Sequence, residues 1–70
     1  MEQVIKEIPM IKGYHSIAVL QSDGHLDVSV HCRFGSSLPI RDVHNIADQI
    51  SQRVRATMPN VDRVIVHAEP

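Results

Sequence analysis

The sequence predicts an α+β fold, a two-layer sandwich of the ferredoxin-like kind with its elements in the order α-β-β-α-β. Three observations predict it. Two strand-like segments flank a turn at Asp23-Gly24, an apolar stripe with helical spacing follows, and a third strand-like segment ends the chain. A helix with one apolar stripe must bury that stripe, and one face of the sheet is its natural partner. One strand of the usual ferredoxin-like arrangement is missing.

The predicted first elements are a short helix over residues 2–8, which Pro9 ends, and a strand from Tyr14 to Gln21. A helix of one or two turns is marginal alone and must pack on the rest of the domain. Alternation assigns two faces to the strand, with Ile17 and Val19 on one side and Ser16, Ala18 and Leu20 on the other.

The clearest strand runs from His25 to Phe34, where apolar and polar residues alternate. The preceding Asp23-Gly24 pair predicts a β-hairpin, because glycine readily adopts the positive φ of a tight turn. The carboxylates of Asp23 and Asp27 flank this turn and are expected to be solvated. His25 is expected to be a surface residue without a ligand role. The apolar side of the strand comprises Leu26, Val28, Val30, Cys32 and Phe34, and the polar side His25, Asp27, Ser29, His31 and Arg33.

A long helix is predicted between Gly35 and Pro59, with Ser37 as its N-cap and Pro39 in its first turn. His44 borders its apolar stripe. The stripe comprises Ile40, Val43, Ala47, Ile50 and Val54, at spacings of three and four.

The third strand is predicted over Val61 to Ala68, with Val64 and Val66 on one face. Arg63, Ile65 and His67 occupy the other. Since the long helix covers only one face of the sheet, the second face stays open, and a partner subunit is its natural cover. The apolar candidates on that face are Ala18, Leu20 and Ile65.

Composition limits the kinds of function that this chain can have. Residues 1–70 form one small domain, and domains below roughly 70–80 residues usually need a metal, a disulfide or an oligomer interface. The single cysteine, Cys32, excludes an internal disulfide and is predicted to be a core residue. A net charge of -1, with one Phe and one Tyr, argues against nucleic-acid binding. No membrane span or signal peptide is visible, so a cytoplasmic location is expected.

Four of the five histidines fall on different predicted elements, and neutral imidazole is the commonest borderline metal ligand. Hairpin geometry pairs residues whose numbers sum to about 46–48, which places His15 close to His31. His67 and Glu69 leave the same face of the third strand because they are two residues apart. Each histidine taken alone is more often a surface residue. No nucleophile, phosphate loop or paired-cysteine motif indicates an enzyme.

Several segments carry a more specific pattern: Gly13-Tyr14-His15-Ser16-Ile17, Val30-His31, Ser37-Leu38-Pro39-Ile40, Val43-His44-Asn45-Ile46-Ala47-Asp48-Gln49-Ile50, Pro59 and Val64-Ile65-Val66-His67-Ala68-Glu69-Pro70. Together they resemble the C-terminal cytoplasmic domain of cation diffusion facilitator transporters, over residues 2–70. The resemblance implies a metallochaperone-like fold that dimerises and binds zinc or a similar divalent cation near the dimer interface. The implied metal ligands are His15, His31, His44, His67 and Glu69.

The sequence departs from that family at two points. Glu69 stands where family members often have aspartate, and its extra length is expected to change the geometry or metal preference of the site. The membrane domain is missing, so the chain is expected to be either a stand-alone regulatory domain or an excised part of a transporter.

Three functional hypotheses follow from these observations. The leading one is a homodimeric, non-enzymatic domain that binds Zn²⁺, with Cd²⁺, Ni²⁺, Co²⁺ and Cu²⁺ as alternatives, for sensing, buffering or regulation of a membrane cation transporter. The second is a metal-independent dimerisation module with incidental histidines. The third is a small enzyme with His31 or His67 as general base, which the scarcity of aromatic residues disfavours.

Overall fold

A three-stranded sheet forms one layer of the fold and two helices form the other. The computed structural model describes residues 2–70, and Met1 lies outside the described residues. The elements are α1 (Glu2–Lys6), β1 (Ile11–Ser22), β2 (His25–Phe34), α2 (Ile40–Thr57) and β3 (Val61–Glu69). The predicted α+β class and element order are confirmed. Across residues 2–70, neither helix combines the length and apolarity needed to cross a membrane.

The hairpin joins β1 and β2 as an antiparallel pair. Ser22 lies opposite His25, and Asp23 and Gly24 form the turn with φ values of 49° and 82°. Two successive positive φ values suit a tight hairpin turn, because its twist then matches that of the strands. The hairpin predicted from the Asp-Gly pair is confirmed.

An irregularity in β1 determines where its first half points. The register shifts between His15 and Ala18, and Ser16 adopts a φ of 57°. Strict alternation back from Val19 would place His15 on the helix side of the sheet. Because residues paired across a ladder share a face, the pairing of His15 with His31 places His15 on the open face instead. The predicted faces of Ala18, Val19 and Leu20 therefore hold, and His15 lies close to His31 as the hairpin geometry predicts.

Strand β3 lies parallel to β2, which makes β2 the central strand. Val64 pairs with Val28 on the helix side, and His67 pairs with His31 on the open face. Val66 packs against the core, whereas Ile65 is exposed on the opposite side. The two predicted faces of β3 are confirmed.

Helix α2 closes the core with Ile46, Ile50 and Val54, all buried against the sheet. The assignment of Ile40 to this stripe is wrong, because 87% of that residue is exposed. At 3.6 residues per turn, Ile40 lies about 80° around the helix from Ile50, at the margin of the buried face. Ile46, which is four residues before Ile50, is buried and belongs to the stripe instead.

The start of α2 also differs from the prediction. Pro39, not Ser37, is the N-cap residue, and no side chain caps the helix. Proline disfavours helical backbone at the residue before it, so Leu38 stays outside the helix and Ser37 lies too early to cap it. A turn precedes it, in which the N–H of Leu38 donates to the carbonyl of Gly35 at 3.0 Å.

An ion pair between Glu7 and Arg53 ties the α1 segment to α2. Hydrogen bonds to Glu7 from Arg53, and secondarily from Gln3, hold the pKa of Glu7 below its usual range. A lowered folded-state pKa contributes stability above the unfolded value of about 4.3, and this contribution is lost as pH falls through the folded value. We therefore expect the melting-temperature difference between wild type and Glu7→Gln to shrink between about pH 5 and pH 3.

Thermal unfolding followed by circular dichroism in chelator-containing buffer measures this small effect. Glu2→Gln is the matched control, because it makes the same change on α1 away from Arg53. A difference for Glu7→Gln that stays constant across the acid range would contradict the ion-pair explanation.

Candidate metal centre

Three histidines form a row across the open face of the sheet. His15, His31 and His67 occupy paired positions on β1, β2 and β3. The rings of His15 and His31 are stacked with centroids 5.0 Å apart, and those of His31 and His67 are 4.5 Å apart. These distances match the spacing of neighbouring strands, about 4.8 Å, so the strand register itself creates the row.

Glu69 connects two of these rings. Its Oε1 lies 2.8 Å from Nε2 of His15, and its Oε2 lies 2.9 Å from Nδ1 of His31. The hydrogen bond from His15, followed by that from His31, holds the pKa of Glu69 below its usual range. Since an ionised carboxylate only accepts hydrogen bonds, both ring nitrogens donate to it. The centre thus combines a negative charge with imidazole nitrogens.

The spacing of these groups suits a small divalent cation. Ligand atoms of His15, His31 and Glu69 all lie within 4.8 Å of one another. Bonds of 2.0–2.1 Å to a tetrahedral zinc ion place ligand atoms about 3.3 Å apart, so modest side-chain rotations suffice. A ring nitrogen that binds a cation cannot also carry a proton, so that proton must move to the other nitrogen of the same ring or leave the site.

His67 lies beside this group and completes the row. Within residues 2–70 it makes no side-chain hydrogen bond or ion pair, and its ring stacks on that of His31 at an interplanar angle of 17°. Its place two residues before Glu69 puts both side chains on the open face, as the i, i+2 spacing predicts. A third imidazole is therefore available next to His31 and Glu69.

His44 lies apart from the sheet histidines. It is on α2, in the other layer, and its Nε2 is 3.3 Å from a carboxylate oxygen of Asp48, one turn along the helix. Its side chain is largely exposed. The fold of one chain does not bring His44 to the row, so a ligand role for it requires a second subunit and stays a prediction.

Ser16 contacts the first histidine of the row. Ser16, which the sequence did not indicate, places its hydroxyl 2.8 Å from Nδ1 of His15 and fixes the orientation of that ring. A serine at positive φ leaves no recognisable sequence pattern.

Cys32 lies on the helix side of β2 and is fully buried, as predicted. Burial, followed by the charge of Glu69, raises the pKa of its thiol, which therefore stays protonated.

The fold and the row of histidines define a class: a small α+β domain with imidazole and carboxylate side chains grouped on the open face of its sheet. The chain belongs to the family described as the cytoplasmic domain of cation efflux proteins, whose model matches residues 1–70. This confirms the resemblance drawn from the sequence and agrees with the expected cytoplasmic location. The family is one of cation transporters and not of enzymes.

Two curated relatives illustrate the match. The cation-efflux pump FieF of Pectobacterium atrosepticum is 31% identical over 68 residues, which cover 97% of this chain and 22% of the relative. FieF of Escherichia coli is 30% identical over 67 residues, 96% of this chain and again 22% of the relative. The chain thus spans about a fifth of the length of the curated relatives that it matches.

Solved structures share the fold at low sequence identity. The metal-bound C-terminal domain of the CzcD transporter from Thermotoga maritima superposes with a TM-score of 0.93 at 14% identity, over 99% of this chain and 80% of that one. A cadmium form of MamM CTD gives 0.82 at 12% identity, over 96% of this chain and 84% of that one. At such identities the likeness extends to the fold alone.

Proposed function

We propose that this chain is a divalent metal-binding, homodimeric regulatory domain of a cation efflux protein, with Zn²⁺ as the expected metal. One observation carries the proposal: the convergence of His15, His31 and Glu69 within 4.8 Å on an open sheet face. The family membership supports it, as does the metal-bound state of the CzcD domain that shares the fold. The domain spans residues 1–70 and has no enzymatic activity.

The proposed ligands on the open face comprise an inner group of three residues and one neighbouring histidine. His15, His31 and Glu69 form the inner group, and His67 joins it from β3. Imidazole nitrogen and carboxylate oxygen suit Zn²⁺, and they also accept Cd²⁺, Ni²⁺, Co²⁺ and Cu²⁺. Because free histidine side chains protonate near pH 6.5, metal affinity should weaken below about that pH.

The open face of the sheet offers the surface for dimerisation. Helix α2 covers the other face, while Leu20 and Ile65 leave apolar surface exposed on this one at 67% and 37%. Because α2 lies in the other layer, His44 would join a row only if a second copy packs with its α2 beside that row. We therefore assign His44 to the partner's site.

Regulation follows from a difference in affinity between two arrangements of the dimer. A cation held by groups from both subunits favours the arrangement in which those groups converge, and this shifts the population. In a complete efflux protein, such a shift would regulate the attached membrane domain. In a separate protein, the same ligation would serve for sensing or buffering.

Zinc titration by calorimetry near pH 7.5, paired with light scattering, tests the proposal. We expect tight, saturable zinc binding whose heat is lost in His67→Ala, and a dimer that dissociates about tenfold more readily in chelator than in zinc. His44→Ala should weaken the zinc effect on dimerisation while the inner group still binds. Absence of saturable heat, for zinc or for the alternative metals, would contradict the proposal.

A metal-independent dimerisation module is the second candidate function. The exposed Leu20 and Ile65 favour it, because apolar surface drives association without any histidine. It predicts the same dimer in chelator and in zinc, and no change in His67→Ala.

A further inference from the structure

A second group of metal-ligating side chains lies at the hairpin end of the open face. His25 and Asp27 are two residues apart on β2 and share a face, and Asp62 joins them from the start of β3. One ligand atom of each residue lies within 4.8 Å of the other two. The three residues come from both ends of the α2 crossover, so only the folded chain assembles them.

A register shift explains why Asp62 reaches this group. Leu26 pairs with Val61, but the next residue, Asp27, pairs with Arg63. Asp62 is therefore an extra residue in β3, left without a partner on β2. Bulges of this kind redirect side chains, and this one brings the carboxylate of Asp62 beside the β2 pair.

One buried carboxylate oxygen in this group lacks a hydrogen-bond partner. Oδ1 of Asp27 is buried and has no hydrogen-bond partner among residues 2–70. The expectation that Asp27 is solvated is therefore wrong for this oxygen. Leaving a charged oxygen buried and unpaired destabilises the fold unless another group satisfies it. A bound cation would satisfy it.

Among the described residues, the protein groups nearby give these carboxylates only one long ionic contact. His25 Nε2 is 4.0 Å from Oδ2 of Asp62, beyond hydrogen-bond distance. Arg63 is the cross-strand partner of Asp27, yet no ion pair within 4.0 Å links it to either aspartate in the described part of the chain. Both carboxylates are thus available to a ligand of opposite charge.

The geometry points to a second divalent-cation site formed by His25, Asp27 and Asp62. It is separate from the histidine row, because Asp27 and His31 are four residues apart on β2, about 13 Å. One imidazole and two carboxylates form a harder ligand set than the row, so the site should accept Mn²⁺ as well as Zn²⁺. Its three protein ligands leave positions for water, and it should bind more weakly than the row.

Mn²⁺ is the probe for the test, because its unpaired electrons broaden nearby nuclear magnetic resonance signals. Mn²⁺ is added to the chain carrying His31→Ala, which disables the row. We expect amide signals around residues 25–27 and 61–63 to broaden first. Asp27→Asn, and separately the more exposed Asp62→Asn, should raise the Mn²⁺ concentration needed by about tenfold or more. Asp23→Asn, a carboxylate at the hairpin turn outside the group, should leave it unchanged.

Two outcomes would overturn the assignment. Broadening that is equal in Asp27→Asn, Asp62→Asn and Asp23→Asn would show only diffuse attraction of cations to acidic surface. If Asp27→Asn and Arg63→Gln lower the melting temperature alike while Mn²⁺ broadening persists, Asp27 serves Arg63 and not a cation. Neither result depends on zinc binding at the row, so the two sites succeed or fail separately.

Discussion

His31→Ala is expected to lower the zinc affinity of this chain by about 100-fold or more. His31 is the central residue of the row: its ring stacks on both neighbouring imidazoles, and its Nδ1 contacts Glu69 at 2.9 Å. Removing a group that only supports a metal ligand typically costs 10–100-fold in affinity, so loss of a ligand should cost at least the upper end of that range. Competition against a chromophoric chelator near pH 7.5 measures the constant.

His25→Ala is the matched control for this prediction. It removes the same side chain from the same strand, six residues away at the hairpin end, and leaves the row intact. We expect its tight zinc binding to equal that of wild type. If both variants weaken zinc binding equally, the metal binds histidines indiscriminately, and the row is not a site.

The pairing of strands explains why part of the site was predictable. A tight Asp23-Gly24 turn fixes the hairpin register to within about one residue, which is enough to place His15 close to His31 but not directly opposite it. The i, i+2 spacing fixes that His67 and Glu69 share a face. The long alternation of apolar and polar residues in β2 assigns each residue to one face of the sheet, so the core residues on this strand were also predictable.

The features that the sequence did not reveal arise from backbone irregularities. The bulge at Ser16 turns His15 to the open face, and the extra residue at Asp62 creates the second group. Neither has a signature in residue type, because the bulges follow from how neighbouring strands fit together. The position of His44 relative to the row depends on a second chain, which one sequence does not specify.

Which residues of α2 are buried was also only partly predictable from the sequence. Spacings of three and four admit both Ile40 and Ile46 as members of a stripe, and only the placement of α2 on the sheet separates them. Ile46 is buried against the sheet, whereas Ile40 lies at the margin of the buried face and in the first turn of the helix. Sequence periodicity gives the direction of a buried face but not how far the sheet extends beneath it.

Ile50→Ala is expected to lower the free energy of unfolding by about 2–5 kcal/mol. Ile50 is fully buried at the centre of α2, between Ile46 and Val54. A domain of this length has a total stability of about 4–10 kcal/mol, so the substitution would remove a large share of it. Urea unfolding followed by circular dichroism, in chelator and at one protein concentration, measures the loss.

Ile40→Ala makes the identical change on the same helix at a site that is 87% exposed. It should alter stability by no more than about 0.5 kcal/mol, because no core contact is lost and alanine favours helix slightly. A loss as large as that of Ile50→Ala would mean that Ile40 is covered, most simply by a second subunit. Because both variants are measured in chelator, metal binding does not contribute, and the difference between them reports the loss of core packing at Ile50.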